Sequence, residues 1–320
     1  MSFLVILLAL LINHYWQRDK AILADDWFVP VQRRLREQVQ AMAAEQSEPG
    51  PLYTVLLLGL LPATLVVLLL LVQGALLGVV TLVLHVGVLL LMFEQQSLRS
   101  LSAAYLDRWR AGNYEAAFLF LQERWPGLIL DNAAQRQAVH EQFCRYLIST
   151  SFERLFAVVF WYLVLGPAAA LLYHLTVLHR LHCAWERDTA TGRFIQRLAF
   201  ILEWLPARLL ALSFCLTGDF LAAFSRLREL WRDADRSAVD LVLACALAAV
   251  DTAQRTLFVK ETEQGDAVDT VLVAADDAGD FAFMPVRAAQ QAEDLLGLLQ
   301  RSQFLWVSLL AILAVASVGT

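Results

Sequence analysis

Charge is what this chain has least of. Asp, Glu, Lys and Arg make up 18% of its 320 residues and hydrophobic residues 59%, where ordinary soluble domains carry about 25% charged residues. The scarcity is local: Val55 to Val72, Ala75 to Phe93 and Leu155 to Tyr173 contain no charged residue. Uncharged apolar runs of roughly 18 residues or more match the hydrocarbon core of a bilayer. This excludes an ordinary soluble fold and predicts an all-α, polytopic integral membrane helical bundle with helical cytoplasmic regions. The net charge of -6 supplies no basic face for nucleic acid. The four cysteines, Cys144, Cys183, Cys215 and Cys245, form no C-x-x-C pair and are expected as buried thiols, not disulfides or metal ligands. Walker, G-x-S-x-G, H-E-x-x-H and dinucleotide motifs are absent, and no inverted repeat points to a transporter. No cofactor is expected.

What is present divides the chain into six stretches. Residues 1–53 hold the apolar run Phe3 to Ile12, which lacks the positive start and cleavage site of a signal peptide and is expected as a retained membrane helix. A helix follows with Trp27, Val31, Leu35 and Val39 at helical spacing beside Arg33, Arg34 and Arg36, fitting either a membrane-surface helix or a solvated linker. Residues 54–93 form a transmembrane hairpin, in which His85 is expected to bond within the bundle. Residues 94–154 are polar, with a helix hairpin around Gly112-Asn113 and a long helix running into the next span. Residues 155–216 form a transmembrane core. Residues 217–303 are an acidic helical region with an apolar stripe of Phe220, Phe224, Leu227 and Trp231 and a buried helix at Val239 to Val250. A C-terminal span occupies residues 304–320.

The anomaly lies at Leu202-Glu203-Trp204-Leu205-Pro206-Ala207-Arg208-Leu209, where two charges and a proline sit in a segment otherwise able to cross a membrane. Intramembrane charges require partners and are functional-site candidates. Glu203 and Arg208 stand about 140° apart on an ideal helix, so direct pairing requires a distortion at Pro206. Either they lock the bundle through ion pairs and interhelical hydrogen bonds, or Arg208 holds an anionic headgroup, phosphate or carboxylate. Glu153 and Arg154 form a second charged pair at the start of the core. If 198–216 crosses, one side collects 20 basic residues against 4, the bias expected of a cytoplasmic face. His174, His179, His182 and Cys183 do not share one helical face and are expected as interfacial residues, not metal ligands. Asp276-Asp277-Ala278-Gly279-Asp280 lacks the spacing of an EF-hand.

These residues also carry a resemblance. Phe160-Trp161, Leu165-Gly166-Pro167, Ala170-Leu171 and Tyr173, followed by Leu202-Glu203-Trp204-Leu205-Pro206-Ala207-Arg208-Leu209, resemble the family uniting AmpE with the membrane cobalamin-biosynthesis synthases. The synthases form an amide bond and carry a Glu-Asn-x-x-Asp-Gly run before the Phe-Trp element. Here Ser149-Thr150-Ser151-Phe152-Glu153-Arg154 stands in that place and keeps an acidic residue only at Glu153. The Asn and Asp of a second synthase run, Asn-Thr-Leu-Asp, fall on Val177 and Arg180. The loss of carboxylates that would hold Mg²⁺ and phosphate favours a non-enzymatic protein. The resemblance therefore implies a multi-pass protein of the bacterial inner membrane, a signalling or sensor protein linked to β-lactamase induction and muropeptide recycling. The alternative is a membrane synthase acting on a phosphorylated or lipid-linked substrate. Ligand-binding candidates are Glu153, Arg154, Trp161, Glu203, Trp204 and Arg208. Expected partners are the lipid bilayer, a muropeptide-related or anionic ligand, and a cytoplasmic or membrane protein.

Overall fold

The computed structural model describes residues 2–15, 28–42, 52–72, 79–93, 98–125, 136–182, 190–233, 236–250 and 285–318, and every element among them is helical. The helices are α1 (Ser2–Tyr15), α2 (Phe28–Met42), α3 (Leu52–Val72), α4 (Val79–Met92), α5 (Leu98–Arg110), α6 (Tyr114–Arg124) and α7 (Arg136–Ser151). A π turn (Phe152–Phe156) follows, then α8 (Ala157–Leu165), α9 (Pro167–His182), α10 (Ala190–Thr217) and α11 (Phe220–Leu230). The last two are α12 (Ala238–Val250) and α13 (Pro285–Val318). The protein is thus an all-α membrane protein: Arg136–Leu165, Ala190–Thr217 and Arg287–Ile312 are long and apolar enough to cross a bilayer. The breakers Glu48–Pro51 and Gln73–Gly74, Cys183, and nearly all of the acidic loop from Glu261 to Pro285 lie outside the described residues.

Two compact units emerge, one of Met1–Ser97, Ser149–Ala207 and Val307–Thr320, the other of Leu98–Ile148 and Arg208–Trp306. In the first, α3 and α4 are apolar on all sides and pack on α9, and α1 packs on α4. Phe28, Leu58, Leu175, Leu178 and Ile195 form one of its cores. Helix α2 buries Phe28 and Gln32 while Val31, Arg33 and Arg34 are exposed, so its packing face lies one residue on from the expected Val31 register. His85 Nδ1 lies 2.8 Å from the Tyr162 hydroxyl, a bond within the bundle.

The apolar run Leu155 to Tyr173 corrects the sequence reading. It does not continue as one span: α8 stops at Gly166, whose φ of 86° and ψ of -171° lie in a region essentially reserved for glycine. Pro167 then begins α9, where its missing N–H costs nothing. The chain reverses there, and α8 packs along α9. This adds a reversal that the count of basic residues on each side did not include. His174 and His179, expected at the interface, are buried on α9, and His179 Nδ1 meets Gln32 Nε2 at 3.4 Å.

In the second unit, α5 and α6 form the expected hairpin. Gly112 adopts φ 74°, and Asn113 caps α6 by accepting a 3.1 Å bond from the Ala116 N–H. Tyr105 stacks on Phe143 with centroids 3.7 Å apart, in a core that includes Trp109, Phe118, Leu147 and the alanines Ala288, Ala289 and Ala292 of α13. The expected final span and the helix before it are one continuous helix, α13. At Gly218 the corner between α10 and α11 presses on α12, so closely that an added Cβ would come 2.8 Å from the Ala249 Cβ.

Asp240 ties α12 to α7 through an ion pair with Arg145, and its Oδ2 accepts a 2.6 Å bond from the Ser237 hydroxyl. Burial by itself raises the Asp240 pKa. The hydrogen bonds from Ser237 and Arg145, with the charges of Arg145 and Arg236, outweigh it and hold the carboxyl below its usual range. A depressed folded pKa contributes stability above the unfolded value of about 3.9, lost as pH falls through the folded value. Thermal melts of the wild type and Asp240→Asn are therefore expected to differ near neutral pH, with the wild type higher, and to converge as the pH is lowered below the usual aspartate range.

Candidate functional site

The reversal at Gly166 decides which residues meet. Glu153 stands 13 residues before the corner and Arg180 14 after it, so two antiparallel helices bring them to the same level, roughly 20 Å from the turn. The π turn carries Glu153 and widens the helix locally, with the Ala157 N–H reaching back to the Phe152 carbonyl. Such turns recur at functional sites. Arg180 is the one charged residue of α9 apart from histidines. Its Nη2 donates to Glu153 Oε1 at 2.7 Å, and its Nη1 donates to Glu203 Oε2 at 3.0 Å on α10. Nη2 also lies 2.8 Å from Glu203 Oε1, so the guanidinium grips Glu203 with both arms. The hydroxyl of the buried Tyr173 adds a 3.5 Å contact to Glu203.

Burial makes this arrangement obligatory. The Glu203 side chain is 3% exposed and that of Glu153 9%. A buried carboxylate without a partner is strongly disfavoured, and removing one member of such a pair costs about 3–5 kcal/mol. Two carboxylates and one guanidinium leave the cluster formally at -1. Chemically it is a clamp across the π turn, α9 and α10.

A second constraint operates one residue away. Pro206 lies inside α10 and has no N–H, so the carbonyl of Leu202, four residues earlier, loses its helical donor. Proline persists in membrane helices where a neighbour satisfies the freed carbonyl. Here Trp161 does so: its Nε1 donates to the Leu202 oxygen at 3.1 Å. The Phe-Trp and Leu-Glu-Trp-Leu-Pro elements are therefore two halves of one hydrogen bond.

The model of the family described as "Regulatory signalling modulator protein AmpE" matches residues 1–230, a stretch that contains both the clamp and the Trp161 bond. The chain belongs to the AmpE family. It is also similar, at 36% identity over 93 residues, to a cobalamin biosynthesis protein CobD of Chromobacterium violaceum; the match covers 28% of each chain. The chain thus spans little more than a quarter of that relative's length. No solved structure matches.

Among the residues that the sequence singled out in this AmpE-family chain, Glu153 and Glu203 come together, and Trp161 joins them through the α10 backbone. Arg154 is half-buried in the π turn, and Trp204 is 40% exposed on α10. Glu203 takes Arg180 as its ionic partner, not Arg208. Arg208 belongs to the other unit, where its Nη2 donates to the Trp231 carbonyl at 2.8 Å and its guanidinium lies 5.5 Å from the Trp231 ring. It closes the C-terminal end of α11, where cations and carbonyl partners are favoured. Sequence reasoning missed Arg180 and Tyr173 as site residues, although equal spacing about Gly166-Pro167 would have pointed to Arg180. Among the described residues, no three His, Cys, Asp or Glu side chains gather as metal ligands.

Trp161→Phe leaves the Leu202 carbonyl unpaired and is expected to cost about 1–3 kcal/mol in denaturant unfolding of the detergent-solubilised protein. In a Pro206→Ala background, where the backbone regains an N–H for the Leu202 carbonyl, the same substitution is expected to cost less than about 1 kcal/mol. Equal costs in the two backgrounds would contradict the coupling.

Proposed function

We propose that the protein is a non-catalytic regulator of the bacterial inner membrane that links the state of peptidoglycan recycling to β-lactamase induction. One observation carries this reading. The acidic residue kept from the synthase pattern, Glu153, is held by Arg180, the residue that replaces the synthase aspartate. A carboxylate set suited to Mg²⁺ and phosphate has become an internal ion-pair clamp, which joins helices and leaves little carboxylate capacity for a metal. A ligand that binds the paired arrangement of such a clamp and an opened one unequally would shift the balance between them. A muropeptide-related or other anionic ligand competing for Arg180 is the form of signal this chemistry fits. Arg154 and Trp204 border the same helices, whereas the bond from Arg208 to Trp231 supports a structural role for Arg208. The helices of both polar stretches belong to one compact unit, which supports their sharing the cytoplasmic side and a protein partner there.

The similarity to a CobD protein favours a second reading, a synthase acting on a phosphorylated or lipid-linked substrate. The two separate in one strain. Wild-type protein is expected to restore β-lactam-induced β-lactamase to cells lacking it, and Arg180→Gln at matched membrane abundance to reduce that induction by roughly fivefold or more. Purified wild-type protein is expected to turn over no Mg²⁺-nucleotide; turnover abolished by Glu153→Gln would establish the synthase reading instead.

A further inference from the structure

Helix α11 has three faces of different chemistry, and the function proposed above uses none of them. With 100° per residue from Phe220, Ala223, Leu227 and Leu230 lie at roughly 280° to 340°, and all three are buried. Phe220, Trp231, Phe224 and Leu221 fill the next sector, at roughly 0° to 100°, and they are 51%, 38%, 43% and 80% exposed respectively. Ser225 and Glu229 occupy the remaining polar sector; Arg232 stands at its boundary with the aromatic one and Arg228 within the aromatic sector beside Leu221, all four exposed. The sequence stripe Phe220, Phe224, Leu227 and Trp231 is therefore split: only Leu227 enters the core, and the aromatic residues do not. Phe220 and Phe224 instead stack on each other with centroids 5.3 Å apart.

What covers that aromatic face follows from its place in the chain. Helix α10, long and apolar enough to cross a membrane, ends at Thr217, and its last turn exposes Leu216 at 68%. The exposed apolar surface thus continues from the end of a membrane-crossing helix onto α11 within three residues. The orientation of α11 is fixed at both ends. Asp219 caps its start by accepting a 3.0 Å bond from the Ala222 N–H, and the Asp219 N–H donates to the Ala249 carbonyl at 3.1 Å. Arg208 holds the Trp231 carbonyl at the other end. A helix with an apolar aromatic sector, arginines within and beside it whose long stems carry the charge up to the headgroups, and a polar back is the pattern of segments lying in the headgroup region, their apolar side about 5–10 Å deep, with tryptophan at the interface.

We propose that α11 is an interfacial anchor. Phe220, Leu221, Phe224 and Trp231 rest among the upper acyl chains, Arg228 and Arg232 meet lipid phosphates, and Ser225 and Glu229 face water. This moves the start of the acidic region from bulk solvent onto the membrane surface, so that lipid composition bears directly on the unit containing α11.

The test is positional fluorescence. Leu221→Cys, Phe224→Cys and Glu229→Cys proteins are labelled separately with bimane and reconstituted in vesicles of phosphatidylethanolamine and phosphatidylglycerol, with the unsubstituted chain labelled in parallel as the blank. The first two positions are surface sites, so a label at either reports even if the other perturbs the fold. Lipid carrying a nitroxide near the headgroup end of the acyl chain is expected to quench the labels at 221 and 224 at least about twofold more than the label at 229. Aqueous iodide is expected to show the reverse order. Equal iodide quenching at all three positions would mean a solvated helix and overturn the proposal. Shielding of 221 and 224 from both quenchers would overturn it in favour of protein cover, by a second copy or another segment of this chain.

Discussion

The arrangement of the membrane core depends on one guanidinium. Arg180 is bonded to Glu153 on the π turn and to Glu203 on α10, so three segments distant in sequence are held by one side chain. In a soluble protein each carboxylate could turn to water. On helices packed within a membrane bundle this choice is missing, and the pairing becomes a condition of folding. The sharp reversal at Gly166 makes the pairing possible, because it brings residue 180 back to the level of residue 153.

The bond between Trp161 and the Leu202 carbonyl is the neutral counterpart of that clamp. Proline inside α10 creates an unsatisfied acceptor, and the indole of α8 supplies the donor. Both contacts join the hairpin to α10 at adjacent residues, Leu202 and Glu203, which explains why the two sequence elements are found together in one chain. It also bears on regulation. A ligand drawing Arg180 away from either carboxylate would loosen one tie and leave the other in place, which suits a change of packing between helices better than unfolding.

Much of this was legible in the sequence. The apolar, charge-poor composition announced an all-α membrane protein, Gly112-Asn113 announced the α5–α6 hairpin, and the charges near Pro206 announced that partners were needed. Which partner was not legible, because it depends on where the chain reverses. Gly and Pro are common in membrane helices, so Gly166-Pro167 inside a 19-residue apolar run did not by itself signal a corner; only the positive φ reveals it. The faces of α2 and α11 escaped for a related reason. Apolar residues flank Phe28 and Leu227 on several sides of their helices, and in a lipid-facing protein periodicity does not separate a side chain packed on protein from one left exposed.

The central claim is that Arg180 and Glu203 stabilise the structure through each other. A double-mutant cycle with Arg180→Gln and Glu203→Gln, read by denaturant unfolding in one detergent, measures this directly. The account predicts non-additive costs, with a favourable coupling of about 1–3 kcal/mol between the two positions. Additive costs, with a coupling near zero, would contradict it.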